Sequence, residues 1–161
     1  MTQSWFTLRR LAIALPVIFG LHVAEEAPTF VAWFNAHVEP DITGRMFWSV
    51  TTAGLVITLV VAGLAAATRE RAGALAATAW VGFLMLANGV FHVTAAIADG
   101  AYAPGVVTAV LLYLPASGLL IVAVSREHAL PWPAVAAVAL LGGVPMFIHG
   151  WLIVFEGGRL L

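Results

Sequence analysis

The sequence contains no cysteine and no lysine, and it carries little charge of either sign. Without cysteine, disulfides, thiolate metal sites and thiol chemistry are all excluded. Charged residues make up only 9% of the 161 residues, and the net charge of −1 leaves no basic patch, so nucleic acid is not expected as a partner. Apolar residues dominate instead, at 62% with a mean hydropathy of +1.01, against roughly 45–50% in soluble domains. This composition predicts an integral membrane protein.

Five segments are long and apolar enough to cross a bilayer, which takes about 20 helical residues. The breaks between them carry turn residues and charges. The apolar runs are too long for strands and lack their alternation. We therefore expect an all-α integral membrane protein, with a bundle of five transmembrane helices forming a single domain over residues 1–161. The predicted spans are about 11–34, 46–67, 73–97, 105–124 and 131–155.

The arginines predict the orientation of the bundle, because cytoplasmic loops carry an excess of positive charge. Five arginines fall on the side of the N-terminus and two on the opposite side, which places the N-terminus in the cytoplasm. Arginine replaces lysine throughout, and alanine, glycine and valine are abundant, as in proteins from GC-rich bacterial genomes. The expected location is the inner (plasma) membrane of a bacterium. The two groups are Arg9, Arg10, Arg69, Arg71 and Arg126, and Arg45 and Arg159.

The first predicted span contains the segment HVAEE, with His22, Glu25 and Glu26. A charged side chain near the bilayer centre costs about 2.5–3.5 kcal/mol on insertion scales, and no predicted span contains an arginine to offset it. Residues at i, i+3 and i+4 are neighbours on a helix surface. One helix therefore presents a nitrogen and two carboxylates to a common centre. Protonation, a histidinium partner or a metal ion would have to compensate their charge.

Two other predicted spans carry a histidine, His92 in NGVFH and His149 in PMFIHG. With a rise of about 1.5 Å per residue, both lie at a depth similar to that of Glu26, in the outer half of the membrane. The sequence thus predicts one cavity lined by these side chains. Asn88 would support the ligands or add one, and Tyr113 could donate a hydrogen bond or a proton. The predicted metal ligands are His22, Glu25, Glu26, His92 and His149.

Four separated motifs resemble those of the HXXEE-domain proteins, a family of small integral membrane proteins without an assigned function. They are HVAEE, NGVFH, the segment Tyr102-Ala103-Pro104-Gly105 and the late pair His149-Gly150. The resemblance covers nearly the whole chain, with the motifs in the same order. It implies that the polar residues inside the spans form a real site, and it implies no particular activity.

Histidine nitrogen and carboxylate oxygen without thiolate suit zinc, iron or manganese, and two histidines with one carboxylate suit non-heme iron. We expect a divalent metal, iron or zinc before others, as one ion or two. The preferred hypothesis is a membrane metalloenzyme, an oxidoreductase or hydrolase, acting on an apolar or lipid-like substrate that arrives through the bilayer. Its expected catalytic residues are Glu25, Glu26 and His92.

Three alternatives stay open at this point. The same acids and histidines could catalyse a metal-free, isomerase-like proton transfer, relay protons in a transporter, or stabilise a structural membrane subunit. A five-helix bundle leaves little room for a closed cavity, so the chain could also pair as a homodimer. Beyond membrane lipids and an apolar small molecule, no partner is indicated.

Overall fold

The computed structural model describes residues 6–38, 41–68 and 70–152, and over those ranges the chain is helical with no strand. An all-α fold was predicted, and it is confirmed for these residues. Within the described residues the bundle contains six helices in chain order: α1 Leu8–Glu26, α2 Phe30–His37, α3 Gly44–Ala67, α4 Arg71–Asp99, α5 Val106–Glu127 and α6 Trp132–Trp151.

Four of these helices, α3 to α6, are each long and apolar enough to cross a membrane, and α1 with α2 could supply a fifth crossing. This is the pattern of a multi-pass membrane protein. The four helices fall where the spans 46–67, 73–97, 105–124 and 131–155 were predicted. Residues 153–155 of the last predicted span lie outside the described residues, as do Arg69 and Arg159.

The first predicted span, 11–34, is not one continuous helix. Helix α1 ends at Glu26 and α2 begins at Phe30, and the two axes differ in direction by 65°. Pro28 stands between them and has no N–H to continue the helical hydrogen bonds. The amide of Thr29 instead donates to the Glu26 carbonyl across a short turn, at 3.1 Å. The break therefore falls directly after HVAEE and turns α2 away from α1.

The outer surface of the bundle is apolar, as expected for helices in contact with lipid. Large aliphatic side chains are exposed along α1, α3 and α6 where a soluble protein would carry charges. The buried interior is correspondingly small and is packed around Leu15, Met85, Tyr113 and Leu120. The most exposed aliphatic side chains of the three helices include Ile13, Val17, Val50, Val60 and Leu141.

Helices α4 and α6 touch backbone to backbone. A Cβ atom added at Gly82 would collide with the Ala139 carbonyl, and one at Gly142 would collide with the carbonyl of Ala79. Small residues permit this approach between membrane helices. Gly142 and the alanine run at 74–79 supply such small residues on the two helices.

Helices α4 and α5 each contain a π-helical stretch, Gly82–Ala87 in α4 and Ala109–Tyr113 in α5. Such stretches shift the register of the residues that follow and occur often at functional sites. In α4 the stretch ends just before Asn88, one turn from His92. In α5 it ends at Tyr113, two residues before Pro115, which cannot donate to the carbonyl of Leu111.

Candidate metal centre

His22, Glu26 and His92 converge between α1 and α4. One ligand atom of each lies within 4.8 Å of those of the other two. The Glu26 Oε1 atom is 3.4 Å from His22 Nε2 and 3.2 Å from His92 Nε2. His22 and Glu26 are neighbours because they are four residues apart on one helix. All three side chains are buried, with 1% of each histidine and 6% of Glu26 exposed.

Three of the four imidazole nitrogens in this group make no hydrogen bond to the described residues. His22 Nε2 and both ring nitrogens of His92 are buried without a hydrogen-bond partner among the described residues. The distances from the two Nε2 atoms to Glu26 are short enough for ion pairs, but neither approach is aligned as a hydrogen bond. Buried polar atoms are rarely left in this state, and a site for a bound ion is one standard reason.

The spacing between Glu26 and each of the two histidines matches that of ligands on a metal ion. Two ligands bound at about 2.0–2.1 Å to a tetrahedral ion lie about 3.3 Å apart, and the two distances to Glu26 are 3.4 and 3.2 Å. Two imidazoles and one carboxylate are also a donor set of zinc and non-heme iron sites. The residues therefore fit a divalent metal with positions left open for other ligands.

Glu25 does not join the group, although it was predicted as a ligand. It stands about 100° around the helix from Glu26, and its carboxylate faces the beginning of α5. There it accepts hydrogen bonds from the amides of Val107 and Thr108, at 3.0 and 2.7 Å. The Thr108 hydroxyl donates to it at 2.6 Å, and the hydroxyl of Tyr102 donates at 2.8 Å. Partial burial and the bond to Glu25 raise the pKa of Tyr102, which keeps it a neutral donor.

Gly105 closes one side of the centre. Its backbone is left-handed, with φ of +91°, and a Cβ atom there would lie 2.8 Å from Cε1 of His22 and of His92. Tyr113 covers another side, because its ring stacks on His22 with centroids 4.1 Å apart. The Tyr113 hydroxyl is fully buried and has no hydrogen-bond partner among the described residues.

A cavity of about 580 Å³ reaches His22 and Glu26 from the side of α3. Asn88 and His149 also line it, and His149 lies outside the three-residue group. Most of the wall is aromatic or aliphatic, and within the described part of the chain no arginine contributes to it. The wall includes Phe19, Phe30, Phe47, Trp80, Phe83 and Phe91.

A second pairing of a histidine with an acid lies elsewhere. His37 Nε2, at the end of α2, is 3.4 Å from Oδ2 of Asp99, and His37 Nδ1 hydrogen-bonds to the Trp33 carbonyl. This pair is partly exposed and has no third ligand in the described residues. It thus resembles the His22–Glu26 pair in distance but not in burial or in convergence.

Thr108 is the site residue that sequence analysis missed. Its hydroxyl connects Glu25 to His22, with Thr108 Oγ1 at 2.8 Å from His22 Nδ1. Its position three residues after Gly105, in the first turn of α5, carried no signal of contact with the first span. The segment Tyr102-Ala103-Pro104-Gly105 contributes two residues to the site. Tyr102 donates a hydrogen bond to Glu25, and Gly105 leaves room for the two imidazoles.

Comparison with known proteins identifies one family. The model of a family described as a protein of unknown function with an HXXEE motif matches residues 13–120, more than half of the chain. The match includes His22, Glu25, Glu26 and His92. No curated protein and no solved structure matches.

Proposed function

This chain belongs to the HXXEE-motif family, whose function is unknown, and we propose that it is a membrane metalloenzyme with His22, Glu26 and His92 as its metal ligands. The observation that carries the proposal is the convergence of these three buried side chains, in which three of the four imidazole nitrogens have no hydrogen-bond partner among the described residues. A buried carboxylate without compensation is costly. A divalent cation held by all three would remove that cost.

The donor set favours iron or zinc. Three protein ligands leave coordination positions open, as in catalytic zinc sites and in the two-histidine, one-carboxylate sites of non-heme iron enzymes. A metal bound there would polarise a substrate or activate water or oxygen. The protein's contribution is to hold the ligands in a dry pocket, with Asn88 and His149 facing the same cavity as further polar groups.

We propose an uncharged, largely hydrocarbon substrate. Most of the cavity wall is apolar, and no arginine of the described residues lines it, so an anionic headgroup would find no arginine among them. The cavity reaches the exposed residues Met46, Val50 and Ile57 of α3, which face lipid if α3 spans the bilayer. The proposal places the N-terminus in the cytoplasm of a bacterium and the metal in the outer half of the inner membrane, as the arginine distribution predicts.

The experiment is elemental analysis of the protein purified in detergent without chelators, for iron, zinc and manganese. We expect about one equivalent of one metal in the wild type and its loss in His92→Ala and Glu26→Gln. His37→Ala is the matched control, because His37 has an acidic partner at 3.4 Å but no third ligand among the described residues, and it should retain the metal. Full metal content in folded His92→Ala would overturn the proposed ligand set.

Metal-free acid–base catalysis is the second candidate, and one observation favours it. The same Glu26 oxygen lies within 3.4 Å of two imidazoles, so a proton could pass between the carboxylate and either ring. If folded wild-type protein contains no metal and binds none when iron or zinc is added, metal-free, isomerase-like catalysis becomes the preferred function in place of metal-dependent catalysis.

A further inference from the structure

We propose that Glu25 is a positioning residue, which acts through the Thr108 hydroxyl to fix the tautomer of His22. In this arrangement His22 Nδ1 carries the proton and Nε2 presents its lone pair to Glu26 and His92. The inference rests on the proposed metal centre for its functional meaning, although the tautomer itself does not require a metal. It also gives the two adjacent acids of the motif different tasks.

Glu25 accepts hydrogen bonds from four groups, and two of these are backbone amides that can only donate. The amides of Val107 and Thr108 are obligate donors, and each points at one of its two oxygens. The Tyr102 hydroxyl donates to Oε1 as well. The carboxylate therefore acts as an acceptor, at the beginning of a helix where negative charge is favoured.

The Thr108 hydroxyl has one proton, and the group to which it donates determines the direction of the hydrogen bond between Thr108 and His22. Two acceptors surround it, Glu25 Oε2 at 2.6 Å and the Gly105 carbonyl at 3.3 Å. Whichever of the two it bonds, the proton points away from His22. Thr108 Oγ1 must then accept at 2.8 Å from His22 Nδ1, which has to be protonated. In a neutral imidazole, this leaves Nε2 as the atom with the lone pair.

The ring has little freedom to escape this arrangement. Tyr113 stacks on one face of His22, and Gly105 leaves little room at the ring edge, since a Cβ atom added there would lie 2.8 Å from Cε1. Hydrogen bonds of this kind to a ligating histidine orient the ring and set the tautomer that can bind metal, and their loss typically weakens metal binding by about 10–100-fold. Glu26 would thus be a metal ligand, while Glu25 would act through Thr108 to keep His22 in the tautomer that can bind metal.

The experiment measures zinc affinity, by competition with a chromophoric chelator, in variants of the full-length protein. Thr108→Val removes the hydroxyl at nearly constant volume, and Thr108→Ser restores it. We expect the valine variant to bind zinc about 10–100-fold more weakly and the serine variant to bind like the wild type. Thr78→Val is the matched control, because that buried hydroxyl donates to the Ala74 carbonyl instead, and its affinity should not change.

Glu25→Gln tests the far end of the chain of hydrogen bonds. One carboxylate oxygen becomes an amide nitrogen, so either the Thr108 or the Val107 amide loses its acceptor. We expect a loss of affinity in the same direction as for Thr108→Val. Glu127→Gln is the control, since that carboxylate accepts a backbone bond from Leu8 away from the site. Wild-type affinity in both Thr108→Val and Glu25→Gln would overturn the positioning role.

A second readout separates this inference from the proposed function. In the metal-free protein, nitrogen-15 chemical shifts of labelled histidine report which ring nitrogen of His22 is protonated. We expect protonated Nδ1 in the wild type and in Thr108→Ser, and the other tautomer or a mixture in Thr108→Val. If the wild type binds no zinc but shows this pattern of chemical shifts, the proposal of a metalloenzyme is rejected and the positioning role of Glu25 is retained. Protonation of the wild type at Nε2 would end the proposal whatever the metal content.

Discussion

The phenol ring of Tyr113 stacks on the imidazole of His22, with ring centroids 4.1 Å apart and an angle of 29° between the planes. The contact joins α5 to α1 at the centre of the candidate site. Because the Tyr113 hydroxyl is buried and has no partner among the described residues, the ring rather than the hydroxyl supports His22.

Tyr113→Phe should therefore leave metal binding intact. Removing an unsatisfied buried hydroxyl should also raise the free energy of unfolding by about 1 kcal/mol. Tyr113→Ala should instead lower that free energy by about 3 kcal/mol, because it opens a cavity against His22. Thermal unfolding in detergent and zinc competition measure the two effects. Loss of zinc binding in folded Tyr113→Phe would contradict this account and give the hydroxyl a direct role.

Gly105→Ala should abolish metal binding. Its Cβ would lie 2.8 Å from carbon atoms of both imidazoles, so the rings would have to separate. The positive φ adds strain of roughly 1–2 kcal/mol. Gly100→Ala isolates that strain, because Gly100 also has a positive φ, of +65°, but nothing lies within 4 Å of the added Cβ. Zinc affinity should fall in the first variant and persist in the second; equal affinities would exclude a steric role for Gly105.

Gly142→Ala should destabilise the bundle without touching the metal ligands. The added Cβ would meet the Ala79 carbonyl on α4, and overpacking of this kind costs about 1–3 kcal/mol. Gly63→Ala in α3 meets nothing within 4 Å, and it should stabilise the protein by about 0.5–1 kcal/mol because alanine favours helix. Unfolding of the two variants in the same detergent gives the comparison. Equal stabilities would mean that α4 and α6 are farther apart than the structure has them.

Ala53→Trp should block the cavity, since Ala53 lines it. A neutral long-chain alcohol such as hexadecanol serves as the probe of cavity binding. At a concentration 100 times its dissociation constant, a bound ligand stabilises the fold by about 2.7 kcal/mol, and Ala53→Trp should lose this stabilisation. Val56→Trp is the control, because Val56 lies on the same helix, is exposed and does not line the cavity. Equal stabilisation of both variants would place the alcohol outside the cavity.

Part of this site could be predicted from helical periodicity alone. His22 and Glu26 are one turn apart, so their pairing follows from the helix itself. His92 could be matched to them by depth, because α1 and α4 were expected to run in the same direction. Such reasoning treats each helix as a straight rod, and it works for residues that face the interior near the middle of a span.

The remaining features depend on where helices begin, break and pack. Glu25 bonds to amides that are free only because α5 begins at Val106, and a helix start is known to within a few residues at best. The 65° break after α1 follows from Pro28, but the direction of α2 depends on tertiary packing. His149 was predicted at the depth of His92, and it lies at the cavity wall, on a helix whose rotation is constrained by its glycine contacts with α4.

The most direct test of the central claim is X-ray absorption at the edge of the bound metal, in the wild type and in His92→Ala. If His22, Glu26 and His92 bind one ion, the wild-type spectrum will show two imidazoles per metal and nitrogen or oxygen donors at about 2.0–2.1 Å. Folded His92→Ala will then show no more than one imidazole on any metal that remains. A wild-type spectrum without imidazole scattering, or an unchanged spectrum in His92→Ala, would contradict the account.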